Sequence, residues 1–332
     1  MTASLSDAAC AKGAGAWASV GAAGVPIGPE AAGRGGADEH YELTQTERSA
    51  WGRCSIWWRN TPDLSGRRTG LIGHFASNDR VLSGRVLRQA CAALAARGCA
   101  VAVGPMDGST WRPYRLVTER GTEPPFFLEP DHPPEWPEDF CEAGFAPVAE
   151  YFSAVTDRLD CEDPRADRAE ARLLGLGIEV RSLDAQRWEE ELGEVYRVTL
   201  NSFRDAFLYQ PLPSAEFHAL YGRLRPVVVP ELVLLARHRG RAVGYVVGIP
   251  DRLQAARGAA LDTVILKTLA ILPERTYAGL GSYLVHRLHR AAGALGYRRV
   301  IHALMHETNA SRNISARYGK PFRRYTLFAR PL

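Results

Sequence analysis

Between Arg80 and Gly98 the apolar residues Leu82, Val86, Leu87, Ala90, Leu94 and Ala95 recur every three or four positions. That spacing predicts an amphipathic helix with Asn78 or Asp79 at its start and Gly98 at its end. The stretch before it, GRRTGLIGHFAS, reads as strand and turn, and CAVAVGPM after it is a short apolar run of the kind a buried strand needs. In EPPFFLEPDHPPEWPEDFCEAGF the prolines are too dense for regular structure until Glu138 to Ala143, where a short helix fits. APVAEYFSAVTD reads as a closing strand, and the segment DEHYELTQTERSAWGRCSIWWRNTP ahead of the compact part is assigned no element.

The charged, helix-friendly segment RLDCEDPRADRAEARLLGLG reads as a connection, after which the alternation starts again. IEVRSLD is a predicted strand, WEEELGEVYRVTLNSF and AEFHALYGRLRPVV are predicted helices, and ELVLLARHRGRAVGYVVGIPD is a hairpin turning at His238 to Arg241. Next come strand DTVILKTLAIL, helix AGLGSYLVHRLHRAAGALG, strand YRRVIHALM, helix NASRNISARYG and strand RRYTLFAR. The halves share an order of elements, which predicts a duplicated α/β fold of two units, residues 39–160 and 178–332, joined by 161–177.

Composition narrows the classes. The balance of 46% apolar and 23% charged residues in 332 is that of a globular chain, and no apolar run reaches bilayer-spanning length. A net charge of +4 does not call for nucleic acid and suits an acidic partner or a phosphorylated cofactor. Six cysteines, Cys10, Cys54, Cys91, Cys99, Cys141 and Cys161, and nine histidines are scattered without metal-ligand spacing, so reduced thiols, no metal and a cytoplasmic setting are expected. Residues 1–38, rich in Ala and Gly, lack the basic cluster of an export signal and read as a flexible tail.

Gly279 and Gly281 stand between strand VILKTLAIL and a helix whose apolar positions include Leu284, Val285, Leu288 and Ala292. Such a junction offers unpaired backbone N–H groups at the positive end of a helix, the setting for a phosphate, though glycines there also serve as a plain turn. Arg275 could add a charged contact. With ELVLLARHRGRAVGYVVGIPD, LAILPERTYAGLGSYLV, HETNASRNISARYG and RRYTLFAR around this junction, residues Glu231 to Arg330 resemble the GNAT superfamily of acetyl-CoA-dependent N-acyltransferases. RGCAVAVGPMDGSTWRPYRLV and FCEAGFAPVAEYFSA extend the resemblance to its tandem members.

The resemblance implies two tandem GNAT-like α/β (α+β) domains, each a mixed, mostly antiparallel sheet flanked by helices. It implies that the amides of Thr276, Tyr277, Ala278, Gly279, Leu280, Gly281 and Ser282 bind the CoA pyrophosphate. It also implies that Leu269, Ala270 and Ile271 lie along the pantetheine thioester, with Asn309 contacting the cofactor. Phe203, Phe207 and Tyr209 would line the acceptor pocket, or else belong to a helix–helix core. The departures are concrete: Thr276 takes the first position of the loop motif with Arg275 one residue early, Lys267 stands where many members carry a glutamate base, and Tyr318 directly precedes Gly319. The first half has no such loop, and no cofactor is expected there.

Glu307, His306, His302 and Tyr318 are the candidate proton carriers; His302 and His306, four apart, share a face if their strand is regular. The expected activity is transfer of an acyl group from acetyl-CoA, another acyl-CoA, or phosphopantetheine on an acidic acyl carrier protein to a small-molecule or peptide amine, with natural-product assembly as one setting. A non-catalytic acyl-CoA-binding module and a GNAT-fold thioesterase or decarboxylase are the alternatives.

Overall fold

In the computed structural model, which describes residues 36–332 and the short paired strands Ser19–Val20 and Pro26–Ile27, twelve strands of the described chain join one sheet. The expected tail lies almost wholly outside the described residues. The first half supplies β1 (Glu39–Gln45), β2 (Ala50–Trp57), β3 (Thr69–Ser77), β4 (Val101–Gly104), β5 (Leu116–Glu119) and β6 (Ala146–Thr156). The second supplies β7 (Ile178–Ser182), β8 (Val233–His238), β9 (Arg241–Pro250), β10 (Thr263–Ile271), β11 (Arg299–His306) and β12 (Lys320–Pro331). The order is β1-β2-β3-β4-β12-β6-β11-β10-β9-β8-β7, with β5 also pairing β12. Only β3/β4 and β10/β11 are parallel.

This arrangement differs from a separate sheet in each half. Read inward from either edge, antiparallel strands lead to a parallel pair, and the next strand comes from the other half: β12 beside β4, and β6 beside β11. β12 and β6 then pair with each other from Lys320↔Val155 to Ala329↔Ala146. The segment left unassigned in the sequence forms β1 and β2, the outer edge of the first half.

Helix α1 (Arg80–Ala96) begins where the Asp79 carboxylate accepts the Leu82 N–H at 2.9 Å, and Gly98, at φ 79°, follows its end. Its predicted stripe, Leu82, Val86, Leu87, Ala90 and Leu94, is buried on β2 to β4. The connection forms α3 (Pro164–Gly175), after the short α2 (Trp136–Glu142) of the first half. In the second half α3 and α7 (Leu280–Ala294) cover one sheet face. Helices α4 (Trp188–Ser202) and α5 (Ser214–Gly222) cover the other. Each fully buried leucine, such as Leu284 or Leu288, contributes about 1.5–3 kcal/mol to this packing. The short α6 (Arg252–Ala256) and α8 (Ser311–Ser315) complete the set; α8 is shorter than the helix predicted over NASRNISARYG.

The proline-rich segment of the first half crosses onto the second. Buried Glu129 accepts hydrogen bonds from Arg323 and from the Tyr325 hydroxyl, and its carboxylate also takes the Phe126 N–H at 3.2 Å. Phe127 N–H donates to Asp251 at 2.8 Å, and Arg299 pairs with Glu123 at 2.7 Å. Prolines that keep the segment out of the sheet leave its backbone groups free for these anchors.

Candidate active-site cleft

The parallel ladder of β10 with β11 ends at Leu266↔His302, although β10 runs on to Ile271. On its other side Val247 pairs with Thr268 and Gly248 with Leu266, so Lys267 is the extra residue of a bulge. Bulge and splay together open a cleft of about 760 Å³. Leu269, Ala270 and Ile271 line it, as do Asn309 and all three predicted pocket residues, Phe203, Phe207 and Tyr209. Phe126 and Leu128 of the proline-rich segment line it too, and Trp111 ties the first half to this wall by donating its indole N–H to the Gln210 carbonyl at 2.7 Å.

At the end of β10 a turn over Arg275–Tyr277 leads to Gly279, at φ 83°, and the start of α7. The left-handed conformation favours glycine. The first main-chain bond of the helix, from Tyr283 N–H to the Gly279 carbonyl, is 3.1 Å, and no side chain caps the end, which leaves the preceding amides of Gly279 to Ser282 unpaired. Arg172 of α3 donates to the Thr276 carbonyl at 3.1 Å and to the Ala278 carbonyl. Because C=O and N–H of one peptide point oppositely, this turns the Gly279 N–H away from α3. Sequence reasoning missed Arg172, an exposed arginine on a helix read only as a connection. The exposed Arg275 side chain has no partner among the described residues. Gly281 has a packing role as well: a Cβ there would lie 3.0 Å from Ile271 Cδ1 and 3.1 Å from Ile314 Cδ1.

The predicted proton carriers do not stay together. Tyr318 is buried away from the cleft with its hydroxyl donated to Asp163; burial, and then that carboxylate, hold it well above the ordinary phenol range. Glu307 also lies off the cleft, paired with Arg324 at 2.6 Å and Arg312 at 3.4 Å. His302 and His306 both line it but do not share a face, because Leu304, at φ 58°, inserts a bulge between them. His302 turns to α7, its Nε2 2.8 Å from His289 Nε2 and its Nδ1 2.9 Å from Ser315 Oγ. His306 turns to Tyr151, with ring centroids 4.8 Å apart. Its Nδ1 accepts the Thr308 N–H at 3.1 Å. Asn309 Oδ1 accepts the Ser311 N–H at 3.1 Å at the start of α8. Lys267 lies in the cleft against the Tyr221 ring, 5.5 Å from its centroid, and burial pushes its ammonium down to about 8.

Burial pushes His302 down from 6.5 to about 4, so the folded protein holds it neutral while the unfolded chain protonates it near 6.5. Between those values the unfolded state binds more protons, and stability falls as pH falls, by roughly 2–3 kcal/mol for this group. Urea unfolding is therefore expected to show His302→Gln losing less stability than the wild type between pH 6.5 and pH 4.5. Equal losses would show that His302 does not contribute.

The first half has the matching parallel pair, with a bulge at His74, but its gap is filled. Met106 N–H donates to the Ile72 carbonyl at 2.8 Å, the Asp107 carboxylate takes the His74 N–H at 2.6 Å, and a Cβ at Gly73 would fall on both Met106 and Asp107. Among the described residues there is no cluster of side chains suited to a metal ion, and no helix is long and apolar enough to cross a membrane.

This splayed parallel pair with a helix starting at its mouth is the fold of the GCN5-related N-acetyltransferases. A GCN5-related N-acetyltransferase from Sphaerobacter thermophilus superposes with a TM-score of 0.52 at 13% identity, over 88% of this chain and 80% of that one. The glucosamine N-acetyltransferase region of a fungal multi-domain beta-N-acetylglucosaminidase gives 0.57 at 14% identity, over 90% of this chain and 34% of that one. No family model matches the sequence. A bacterial ceramide synthase of Caulobacter vibrioides is 28% identical over 187 residues, 56% of this chain, and the match spans about half, 49%, of that relative.

Proposed function

We propose that the protein is an acyltransferase, built as two tandem units of which the second is active, that moves an acyl group from a CoA or carrier-protein thioester to an amine. The observation that supports this most is the opening between β10 and β11 into the apolar cleft; the residues of the predicted pyrophosphate loop do not themselves line that cleft, but Gly281 at the start of α7 packs on its lining residues Ile271 and Ile314. The unpaired amides of α7 and the helix dipole suit a pyrophosphate, and the open edge of β10 suits a pantetheine arm. The filled gap in the first half supports a single thioester site. In the reaction the amine nitrogen bonds to the thioester carbonyl carbon, the C–S bond breaks, the nitrogen gives up a proton and the thiolate takes one. Lys267, part neutral near pH 8, is placed to take the first proton. The relative named a ceramide synthase makes long-chain amines the first acceptors to try, with acyl-CoA as donor.

The test follows free thiol and amide product when the full chain is given acyl-CoA with and without a panel of amines. Amine-dependent thiol release with a matching amide is expected. Thiol release that ignores the amine would replace this reading with a thioesterase, and CoA binding without release would replace it with a binding module.

A further inference from the structure

Arg115 enters the same cleft from the first half, and its guanidinium is unusual in having no acid beside it. The residue is 7% exposed, and among the described residues its Nε finds no hydrogen-bond partner and no carboxylate lies within 4 Å. It sits instead in the corner formed by the rings of Tyr114 and Tyr151, which lie at 83° to each other, with Cζ 3.9 and 4.1 Å from their centroids, and donates to the Leu304 carbonyl at 3.1 Å. Its backbone is held left-handed, at φ 73°, a conformation that costs free energy in a side-chain-bearing residue. Two aromatic faces offset only part of the desolvation of a buried cation.

A second unpartnered donor lies on the same wall. His306 Nδ1 accepts the Thr308 N–H at 3.1 Å and lies 2.9 Å from the Thr308 hydroxyl, which can donate to it as well; with Nδ1 an acceptor of both, the ring proton falls on Nε2, which is buried and has no partner among the described residues. The His306 ring packs on the same Tyr151 that stacks with Arg115. The one acid that lines the cleft, Asp205, is exposed and pairs with Arg204 at 3.2 Å.

We infer that Arg115, with His306 beside it, binds an oxyanion carried by the acceptor, a carboxylate or a phosphate. A rigid planar guanidinium matches either group, and the bound anion would supply the acceptor that Nε and Nε2 lack. The assignment of this anion to the acceptor rests on the acyltransfer reading, whereas the anion site itself does not.

Calorimetric binding of dodecanoate, dodecyl phosphate and dodecanol to the full chain, with the two anions below their micelle concentrations and the alcohol below its solubility limit, tests the site without requiring turnover. At least one anion is expected to bind about tenfold tighter than dodecanol, and the tighter of the two identifies the group. That preference is expected to vanish in Arg115→Gln and to persist in Lys267→Met. Equal affinity of the wild type for all three amphiphiles overturns the inference even if Arg115→Gln fails to fold. A preference kept in Arg115→Gln, or one lost in Lys267→Met alone, overturns it as well. Absence of acyl transfer would defeat the proposed function and leave this binding result standing.

Discussion

Titration of CoA into Gly279→Asp is expected to show affinity at least about tenfold below that of Gly279→Ala. Both substitutions force a Cβ into a backbone at φ 83°, where it would lie 3.0 Å from the Ala169 Cβ, and each is expected to cost roughly 1 kcal/mol or more of stability. That shared cost cancels when the two variants are compared. What remains is the carboxylate, placed where Gly279 and the next amides begin α7 unpaired. The Cβ faces Ala169 of α3, away from the Gly279 N–H, so a pyrophosphate held at these amides would feel the added negative charge across the turn and not in direct contact. Gly281 is the poorer probe, because its Cβ would press on Ile271 and Ile314 in the core. Equal CoA affinity in the alanine and aspartate variants would leave this junction a plain turn.

Arg323→Leu is expected to destabilise the protein by about 3–5 kcal/mol in urea unfolding, since it leaves Glu129, whose carboxyl burial already pushes up to about 7, without its partner and takes the donors from the Arg120 and Glu123 carbonyls. The pair is nearly sealed from water, at 4% and 1% side-chain exposure. The double variant Glu129→Leu with Arg323→Leu should regain part of that loss, because no unpaired carboxyl is then buried, while the Arg120 and Glu123 carbonyls still lack their donor. The same pair anchors the proline-rich segment that carries Phe126 and Leu128 to the cleft, so the single variant should also raise the KM for the acyl acceptor. A cost below about 1 kcal/mol would mean that this ion pair is not what fastens the segment.

Local patterns in the sequence carried the local structure. The stripe of α1, the hairpin of β8 and β9 and the strand–glycine–helix junction could be read because each depends on neighbours within a few residues. Partners distant in sequence could not. Nothing in the alternation of APVAEYFSAVTD says that its strand will lie between β11 and β12, since a strand's pattern records which face is buried and not which edge it meets. β1 escaped notice because an edge strand whose half-buried apolar residues are Tyr41 and Leu43 alone has little apolar signal. In the cleft, the splayed strand and the aromatic lining were legible. The separation of His302 from His306 was not, because it turns on one left-handed leucine that no pattern marks. Arg115 was missed for a similar reason, as its significance lies in what is absent around it.

The exchange of β6 and β12 has a consequence for how the chain matures on the ribosome. β4 and β6 are synthesised long before Lys320–Pro331, the strand that lies between them. Until that strand arrives, the first half carries two raw sheet edges, the kind of surface that recruits strands from other chains. Fragments ending before Lys320 should be recovered as aggregates rather than as a folded first half.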